Sequence, residues 1–249
     1  MVSGKYSAVA GAVSREQSIA NISANLANVN TNGYKRTGMS FESLLRGERQ
    51  TQEAKGINYN RVRQNITDLT QGGVRETGNP YDLAIAGDGF FKVEGPNGPL
   101  YTRRGDFLVD QEGVLRTSNG QAVLNDGNAQ ITIPDTETGR VTVGEKGTIT
   151  LVTPDGISAE VGQVAVVGIN DRFLLKRETD TTFSLKDGGN EVPPENFQIL
   201  QGNLELSNVN MTEEMTKLIN SYRTFETYHK VLEGFSRLGQ VQDELGTIG

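Results

Sequence analysis

Residues 210–245 read NMTEEMTKLINSYRTFETYHKVLEGFSRLGQVQDEL, and this C-terminal stretch decides the fold because it predicts one long helix. Its apolar residues recur at alternating spacings of four and three, the heptad pattern of a helix that pairs with other helices. About 35 residues at 1.5 Å each give a rod of roughly 50 Å, longer than a small domain is wide. We therefore predict that these seam residues form an assembly interface: Met211, Met215, Leu218, Tyr222, Phe225 and Leu232.

The start of the chain predicts a second helix with its own apolar seam. Residues 5–28 are helical in character, and small residues separate the larger apolar ones. The helix must stop in the segment NVNTNG (28–33), where Asn tolerates and Gly33 readily accepts the left-handed conformation. Two seams at the two ends of one chain predict a coiled coil that also packs on neighbouring chains. The predicted N-terminal interface residues are Ile19, Ile22, Leu26 and Val29.

The period of the sequence changes to two between residues 82 and 197. Short runs rich in β-branched residues alternate there with tight turn signals, in which both residues can adopt positive φ. These turn dipeptides are Asp88-Gly89, Asn97-Gly98, Asn119-Gly120, Asp126-Gly127, Asp155-Gly156 and Asp187-Gly188. The pattern predicts one all-β domain, a sandwich or a partly closed barrel.

The fold class predicted from these patterns is α+β, with terminal helices that pair as a coiled coil and a central all-β domain. Four segments follow: an N-terminal helix (1–34), a connector (35–75), a β-rich outer domain (76–200) and a C-terminal helix (201–249). The connector is polar and basic, and either a linker or a stabilising interface element accounts for it.

Composition and charge exclude several classes of function. Among 249 residues there is no Cys, which rules out disulfides, thiolate catalysis and Cys zinc sites. The formal charge is -7, yet the first 75 residues are basic; no cluster of aromatic and basic residues accompanies that charge, so we expect no nucleic-acid binding. No run reaches the 18 apolar residues of a membrane span, and no apolar leader with a cleavage site is recognisable at the N-terminus.

Residues that could carry chemistry are few. His229 is the only histidine and lies on the heptad seam, where a packed residue is a better interpretation than a catalytic base. The aspartates are scattered over turns and lack the spacing of a calcium loop. We interpret Arg103 and Arg104 as solvated surface charge, with an anionic ligand or the carboxylates of a neighbouring subunit as the alternative. The sequence thus predicts no catalytic residue, no cofactor, no metal and no small-molecule substrate.

Three separated motifs resemble those of the bacterial flagellar rod and hook proteins. The first is SANLANVNTNGYK (23–35); the second combines DLAIAGDGFF (82–91) with YTRRGDF (101–107); the third begins with SNVN (207–210). They occur in the family's order and span much of the chain. The residues that match the terminal motifs are Asn25, Leu26, Asn28, Asn30, Thr31, Gly33, Ser207, Asn208 and Val209.

The resemblance implies a non-enzymatic structural subunit of the flagellar basal-body rod. Implied partners are further copies of the chain, other rod and axial proteins, and the type III export apparatus, which would export the chain without a cleaved signal peptide. Length and the short central region resemble proximal rod proteins, with distal rod proteins as the alternative. Two interpretations from other classes stay open: an envelope enzyme that cuts peptidoglycan, and a β-domain binding module on a coiled-coil stalk.

Overall fold

The computed structural model describes residues 2–44, 59–134, 139–153 and 157–246. They form one long helix at each end of the chain and a series of short strands between them. The helices are α1 (Val2–Ala27) and α2 (Met211–Gly246), and a short 3-10 helix covers Arg172–Leu174. The strands are β1 (Thr37–Leu44), β2 (Tyr59–Thr67), β3 (Val74–Glu76), β4 (Leu83–Gly87), β5 (Phe90–Val93), β6 (Leu100–Thr102), β7 (Phe107–Val109), β8 (Leu115–Thr117), β9 (Arg140–Val143), β10 (Thr148–Val152), β11 (Ser158–Gln163), β12 (Val166–Ile169), β13 (Leu175–Arg177), β14 (Thr182–Leu185), β15 (Glu191–Val192), β16 (Phe197–Gln201) and β17 (Asn203–Glu205).

The α+β class with terminal helices around a β-rich centre is confirmed. The contacts divide the chain into two compact units, which we describe separately. The described residues of the first unit fall within Met1–Ala27, Arg36–Asp68 and Val209–Gly249, and those of the second within Asn28–Lys35 and Leu69–Asn208. The four segments drawn from the sequence differ from these units, and their boundaries stay a prediction.

The first unit is built on the antiparallel packing of α1 and α2. A Cβ atom placed on Gly4 would lie 3.2 Å from the Phe235 ring, and one on Gly11 would lie 2.6 Å from the Tyr228 ring. A step of seven residues from Gly4 to Gly11 along α1 thus corresponds to a step of seven residues in the opposite direction along α2, from Phe235 to Tyr228, as antiparallel packing requires. Because a glycine faces each of these two rings, the helix axes can approach closely where large side chains would keep them apart.

A β-hairpin accompanies the helix pair in the first unit. Strands β1 and β2 pair antiparallel from Thr37 opposite Thr67 to Leu44 opposite Tyr59, with an irregularity between Ser40 and Phe41. Both strands contact α1. The hairpin lies inside the predicted connector, so that segment is more than a linker.

The second unit is a stack of antiparallel strands around one main hydrophobic cluster. Six strands pair in the order β13-β14-β6-β5-β12-β15, and three in the order β11-β10-β9. Both sheets and the pair β4-β16 contribute to the same cluster through buried residues such as Ile85, Phe91, Ile149 and Ile199. A smaller cluster contains Phe90, Tyr101, Val167 and Phe183.

The turn prediction from sequence is only partly correct in the second unit. Gly89, Gly98, Gly120 and Gly188 all have positive φ, but the residue before each of them does not. Asp88-Gly89 and Asp187-Gly188 also join strands that are not paired with each other, since β4 pairs with β16 and β14 pairs with β13 and β6. In the Asp126-Gly127 turn the positive φ belongs to the next residue, Asn128, because Asn also tolerates this conformation. The dipeptide Asp155-Gly156 lies outside the described residues.

The segment predicted as the C-terminal helix begins with β structure. Strand β17 pairs with β3, and α2 starts only at Met211. Leu204 and Glu205 are both buried on this strand. Neither α1 nor α2 combines the length and the hydropathy that crossing a membrane requires.

Candidate functional site

Helix α2 buries very little apolar surface. Between residues 211 and 240, where its side chains are described, only Glu214 and Ser221 are buried, and both are polar. The larger apolar side chains on the same face, Leu218, Phe225 and Leu232, are half-buried. A helix of this length that hides so little of its apolar side is incompletely covered within one chain.

A second apolar face of α2 is exposed. Met211, Met215, Ile219 and Tyr222 follow one another at spacings of four, four and three, and each is between 47% and 62% exposed. We call these four residues the exposed stripe. An apolar row of this kind on a helix marks an interaction surface more often than scattered single residues do.

The structure separates the seam predicted for α2 into two neighbouring faces. Leu218, Phe225 and Leu232 belong to the half-buried face, whereas Met211, Met215 and Tyr222 belong to the exposed stripe. The heptad spacing could not resolve them, because a 3.5-residue repeat drifts across the surface of a 3.6-residue helix. The predicted interface did not include Ile219, although this residue belongs to the exposed stripe. The interface role of all these residues stays a prediction.

The predicted seam of α1 is covered to different degrees. Ile22 is buried, and Ile19 and Leu26 are half-buried in the first unit. Val29 is half-buried and belongs to the second unit. A separate row on α1 is exposed and was not predicted; it consists of Tyr6, Val9 and Val13.

A buried polar junction joins α1, α2 and β1 in the first unit. Asn25 is only 1% exposed; its Nδ2 donates to Glu214 Oε2 at 3.1 Å and to the Thr37 carbonyl at 2.9 Å. Its Oδ1 accepts from the Thr37 backbone N–H at 3.0 Å. Such a satisfied polar contact between apolar faces fixes the register of a helix pair. This gives the motif residue Asn25 a structural role.

Next to this junction the first unit has an open cavity of about 500 Å³. Residues from all three elements form its walls, and most of them are polar or charged. The lining consists of Arg15, Ser18, Asn21, Ile22, Arg36, Thr37, Gly38, Met39, Glu214, Lys217, Asn220 and Ser221. The cavity size is in the range of ligand pockets.

The loop that follows α1, Asn28–Lys35, carries part of the first motif and belongs to the second unit. Hydrogen bonds of its side chains and backbone fix its conformation. Asn28 Oδ1 accepts from the Thr31 hydroxyl at 3.0 Å, and the Gly33 N–H donates to the Glu205 carbonyl at 2.8 Å. Gly33 has a φ of 68°, and a Cβ there would lie 2.3 Å from the Arg104 backbone nitrogen. Both conformation and space therefore require glycine at this position.

A buried ion cluster anchors the same loop. The Lys35 Nζ lies 2.6 Å from Glu205 Oε1, and Arg103 lies 3.2 Å from Glu205 Oε2. Burial lowers the pKa of the Arg103 guanidinium below its ordinary value, and Glu205 partly counteracts this effect. The interpretation of Arg103 as solvated surface charge was wrong: the strand order brings it against a carboxylate 102 residues away. Arg104 is partly exposed and pairs with Asp106.

Arg177 joins the loop to the six-stranded sheet, and sequence reasoning missed it. Its guanidinium lies 4.9 Å from the ring centroids of both Tyr34 and Phe183, and it also donates to the Lys35 carbonyl. Burial lowers the pKa of Arg177. Nothing in the local sequence distinguishes this arginine from its neighbours, because the contact depends on tertiary structure.

The remaining residues of the terminal motifs differ in burial and in hydrogen bonding. The Asn208 N–H donates to the Tyr34 carbonyl at 3.4 Å, and its side chain donates to the Thr70 carbonyl at 3.0 Å. Ser207 is half-buried and Asn30 is exposed, and both lie in the second unit. Val209 is buried and lies in the first unit. The terminal motifs thus consist largely of residues that fix backbone positions.

The described residues offer no metal centre. His229 is exposed on α2, with its ring centroid 6.0 Å from that of Phe225. Within the ranges given above, no three His, Asp or Glu residues are grouped so that they could hold a metal ion.

Comparisons with known proteins agree with the terminal and central motifs. The family model described as the flagellar hook protein FlgE/F/G D1 domain matches residues 84–151, and the one described as the C-terminal part of flagellar basal body rod FlgEFG proteins matches residues 200–238. The flagellar basal-body rod protein FlgF of Caulobacter vibrioides is 36% identical over 234 residues, which cover 91% of each chain.

Two further relatives have a sequence identity to this chain that is only slightly lower. FlgF of Mesorhizobium japonicum is 32% identical over 226 residues, 89% of this chain and 88% of its own. FlgG of Agrobacterium fabrum, also a flagellar basal-body rod protein, is 32% identical over 250 residues, 90% of this chain and 92% of its own.

Proposed function

The chain belongs to the family of flagellar basal-body rod proteins, and on that premise we propose that it is a structural, non-enzymatic subunit of the rod in the flagellar basal body. Its partners are other copies of itself and other rod and axial proteins. It transmits torque from motor to hook through packing alone. The type III export apparatus delivers it without cleavage of a signal peptide.

The exposed stripe is the single observation that carries this proposal. Burying one side chain of the size of Met or Leu contributes about 1.5–3 kcal/mol. Covering the four half-exposed residues of the stripe therefore offers several kcal/mol for each copy that docks. The neighbouring face, with Leu218, Phe225 and Leu232, is half-buried against the first unit and gains less from a neighbour.

In the assembly that we propose, α1 and α2 form a coiled coil, and the exposed stripe packs on helices of neighbouring copies. The predicted interface residues Ile19, Ile22 and Leu26 of α1 stabilise that pair, and Val29, which follows α1, is a further predicted contact with neighbouring copies. Contacts of this heterologous kind generate a helical assembly when the rotation between copies does not close a ring. The second unit, held together by its own hydrophobic cores, adds lateral contacts that stiffen the shaft.

We propose the proximal part of the rod as the position of the chain, in the manner of FlgF. Its length and the short central region favour this position, and the identity to FlgF of C. vibrioides exceeds that to FlgG of A. fabrum by four percentage points. The distal position of FlgG is the second candidate, because identities of 32% occur with both kinds of relative.

A charge on the exposed stripe tests the assembly role. Tyr222→Lys places a cation where a neighbouring helix should pack, so a deletion strain that carries this variant should stay non-motile. The matched control is Thr227→Lys, an equal charge on another exposed face of α2, which should restore motility. Both purified variants should show the thermal unfolding transition of the unmodified protein. Restored motility with Tyr222→Lys would contradict an interface at the stripe.

A further inference from the structure

Helix α1 carries a second exposed apolar surface near its start. Tyr6, Val9 and Val13 follow one another at spacings of three and four, and each is between 40% and 60% exposed. We call these three residues the N-terminal row. Like the exposed stripe on α2, it is a continuous apolar surface on a helix, the kind of surface that marks an interaction site.

Within one chain the N-terminal row cannot cover the exposed stripe. The antiparallel register, in which Gly4 faces Phe235, puts the row level with residues 226–233 of α2. The stripe lies between residues 211 and 222 of the same helix. The centres of the two surfaces are therefore about 13 residues, or roughly 19 Å, apart along the helix pair.

The two surfaces match in spacing when α1 of one copy lies antiparallel to α2 of another. Each residue of the row then lies level with the gap between two successive residues of the stripe, as in knobs-into-holes packing. In this register Val13 lies between Met211 and Met215, Val9 between Met215 and Ile219, and Tyr6 between Ile219 and Tyr222. Because α1 and α2 are also antiparallel within one chain, the two copies point in the same direction.

The net charges of the two helix segments also favour this contact. Residues 4–15 of α1 contain two cationic side chains and no acidic one. Residues 211–222 of α2 contain two acidic side chains and one cationic one. The segments therefore have net charges of opposite sign, which suits two surfaces that pack together.

We propose that the N-terminal row of one copy packs on the exposed stripe of the next copy, with the two copies displaced by roughly 19 Å along the helix axis. The inference rests on the proposed rod function and names the surface that covers the stripe. Each copy uses its row for one neighbour and its stripe for another, so the contact extends without closing. Pairing of two stripes is the alternative; it would close a dimer and leave both rows exposed.

Cysteine cross-linking tests the contact directly, because the chain contains no cysteine of its own. The double variant Val9→Cys with Met215→Cys places one thiol on each surface. Within one chain the two positions are about 22 Å apart along the helix pair, too far for a disulfide, which needs Cα atoms closer than about 7 Å. Oxidised basal bodies from a strain with this variant should therefore give disulfide-linked dimers and larger oligomers.

Two matched variants separate this contact from other modes of cross-linking. Val9→Cys with Thr216→Cys moves the second thiol by one exposed residue, which turns it about 100° around α2 and away from the stripe. This variant should give no oligomers, and neither should Met215→Cys alone. A dimer from Met215→Cys alone would show that two stripes pair, and it would overturn the proposal. Equal amounts of oligomer from the Thr216 variant would overturn it as well.

Motility of the same strains distinguishes this contact from the rod function. Absence of oligomers from the Val9/Met215 double variant overturns the contact, and if that strain is motile, the rod function stands. An unmodified gene that fails to restore motility to the deletion strain contradicts the rod function itself.

A charge on the N-terminal row supplies a second test that does not depend on cysteines. Val9→Lys places a cation where the stripe of the next copy should pack, so the deletion strain that carries it should stay non-motile. The matched control is Ser7→Lys, an equal charge at an exposed position outside the row, which should restore motility. Both purified variants should keep the thermal unfolding transition of the unmodified protein. Full motility of the Val9→Lys strain would overturn the proposal.

Discussion

At the scale of single residues, the motif positions of the second unit act mainly as anchors of the backbone. The Glu205 carboxylate illustrates this, since it faces the buried cations of Lys35 and Arg103 and accepts from the Gly72 N–H at 3.0 Å. A carboxylate that serves three donors from three chain segments fixes all of them at once. Removing one member of such a buried group leaves the others without their counter-charge.

We expect Glu205→Gln to lower the free energy of unfolding by about 3–5 kcal/mol, because Lys35 and Arg103 stay buried without a carboxylate. Urea unfolding followed by circular dichroism measures this change. The matched control, Asp106→Asn, removes the carboxylate from the partly exposed pair with Arg104 and should cost less than about 1 kcal/mol. Equal losses in the two variants would contradict the anchoring role of Glu205.

At the scale of elements, the two helices are long but weakly held within one chain. The described part of α2 buries only two side chains, and the α1 residues opposite are often small, as Gly4, Ala8, Gly11 and Ala12 are. The strands of the second unit instead surround a continuous apolar core. Helical stability in proteins comes mostly from packing of an apolar face, so the helices need neighbours more than the sheets do.

Amide hydrogen exchange in the isolated monomer should follow this difference. We expect fast exchange across α1 and α2, because opening the helix pair exposes little additional apolar surface. The strands β5 and β6 should exchange slowly, since they lie in the centre of the six-stranded sheet. Helical amides as strongly protected as those strands would show that the helices form a closed core without neighbours.

The helices also show how far sequence reasoning reaches. The spacing of apolar residues predicted both helices, the packing of their seams on neighbouring chains and the β-rich centre. These predictions are possible because helical and strand periods, 3.6 and 2 residues, are local properties of the sequence. It could not assign Met215 and Leu218 to different faces, since that depends on where α1 lies. The buried state of Arg103 and the ring contacts of Arg177 were equally out of reach, because their partners are distant in sequence.

At the scale of the whole molecule, the apolar surface that the helices leave exposed is the part of the chain that the proposed assembly would cover. The exposed stripe of α2 is available for lateral contacts with neighbouring copies. Both hydrophobic clusters lie in the second unit, so we expect this unit to fold whether or not the helices have docked. This division suits a subunit that is exported first and assembled afterwards.

The most direct test of the rod function is electron cryotomography of basal bodies in a flagellated strain from which the gene has been deleted. We expect basal bodies that stop without a complete rod, and restoration of the rod by the unmodified gene. The level at which the truncated structure stops then separates a proximal from a distal position. Complete rods and hooks in the deletion strain would contradict the proposal that this chain is a structural subunit of the rod.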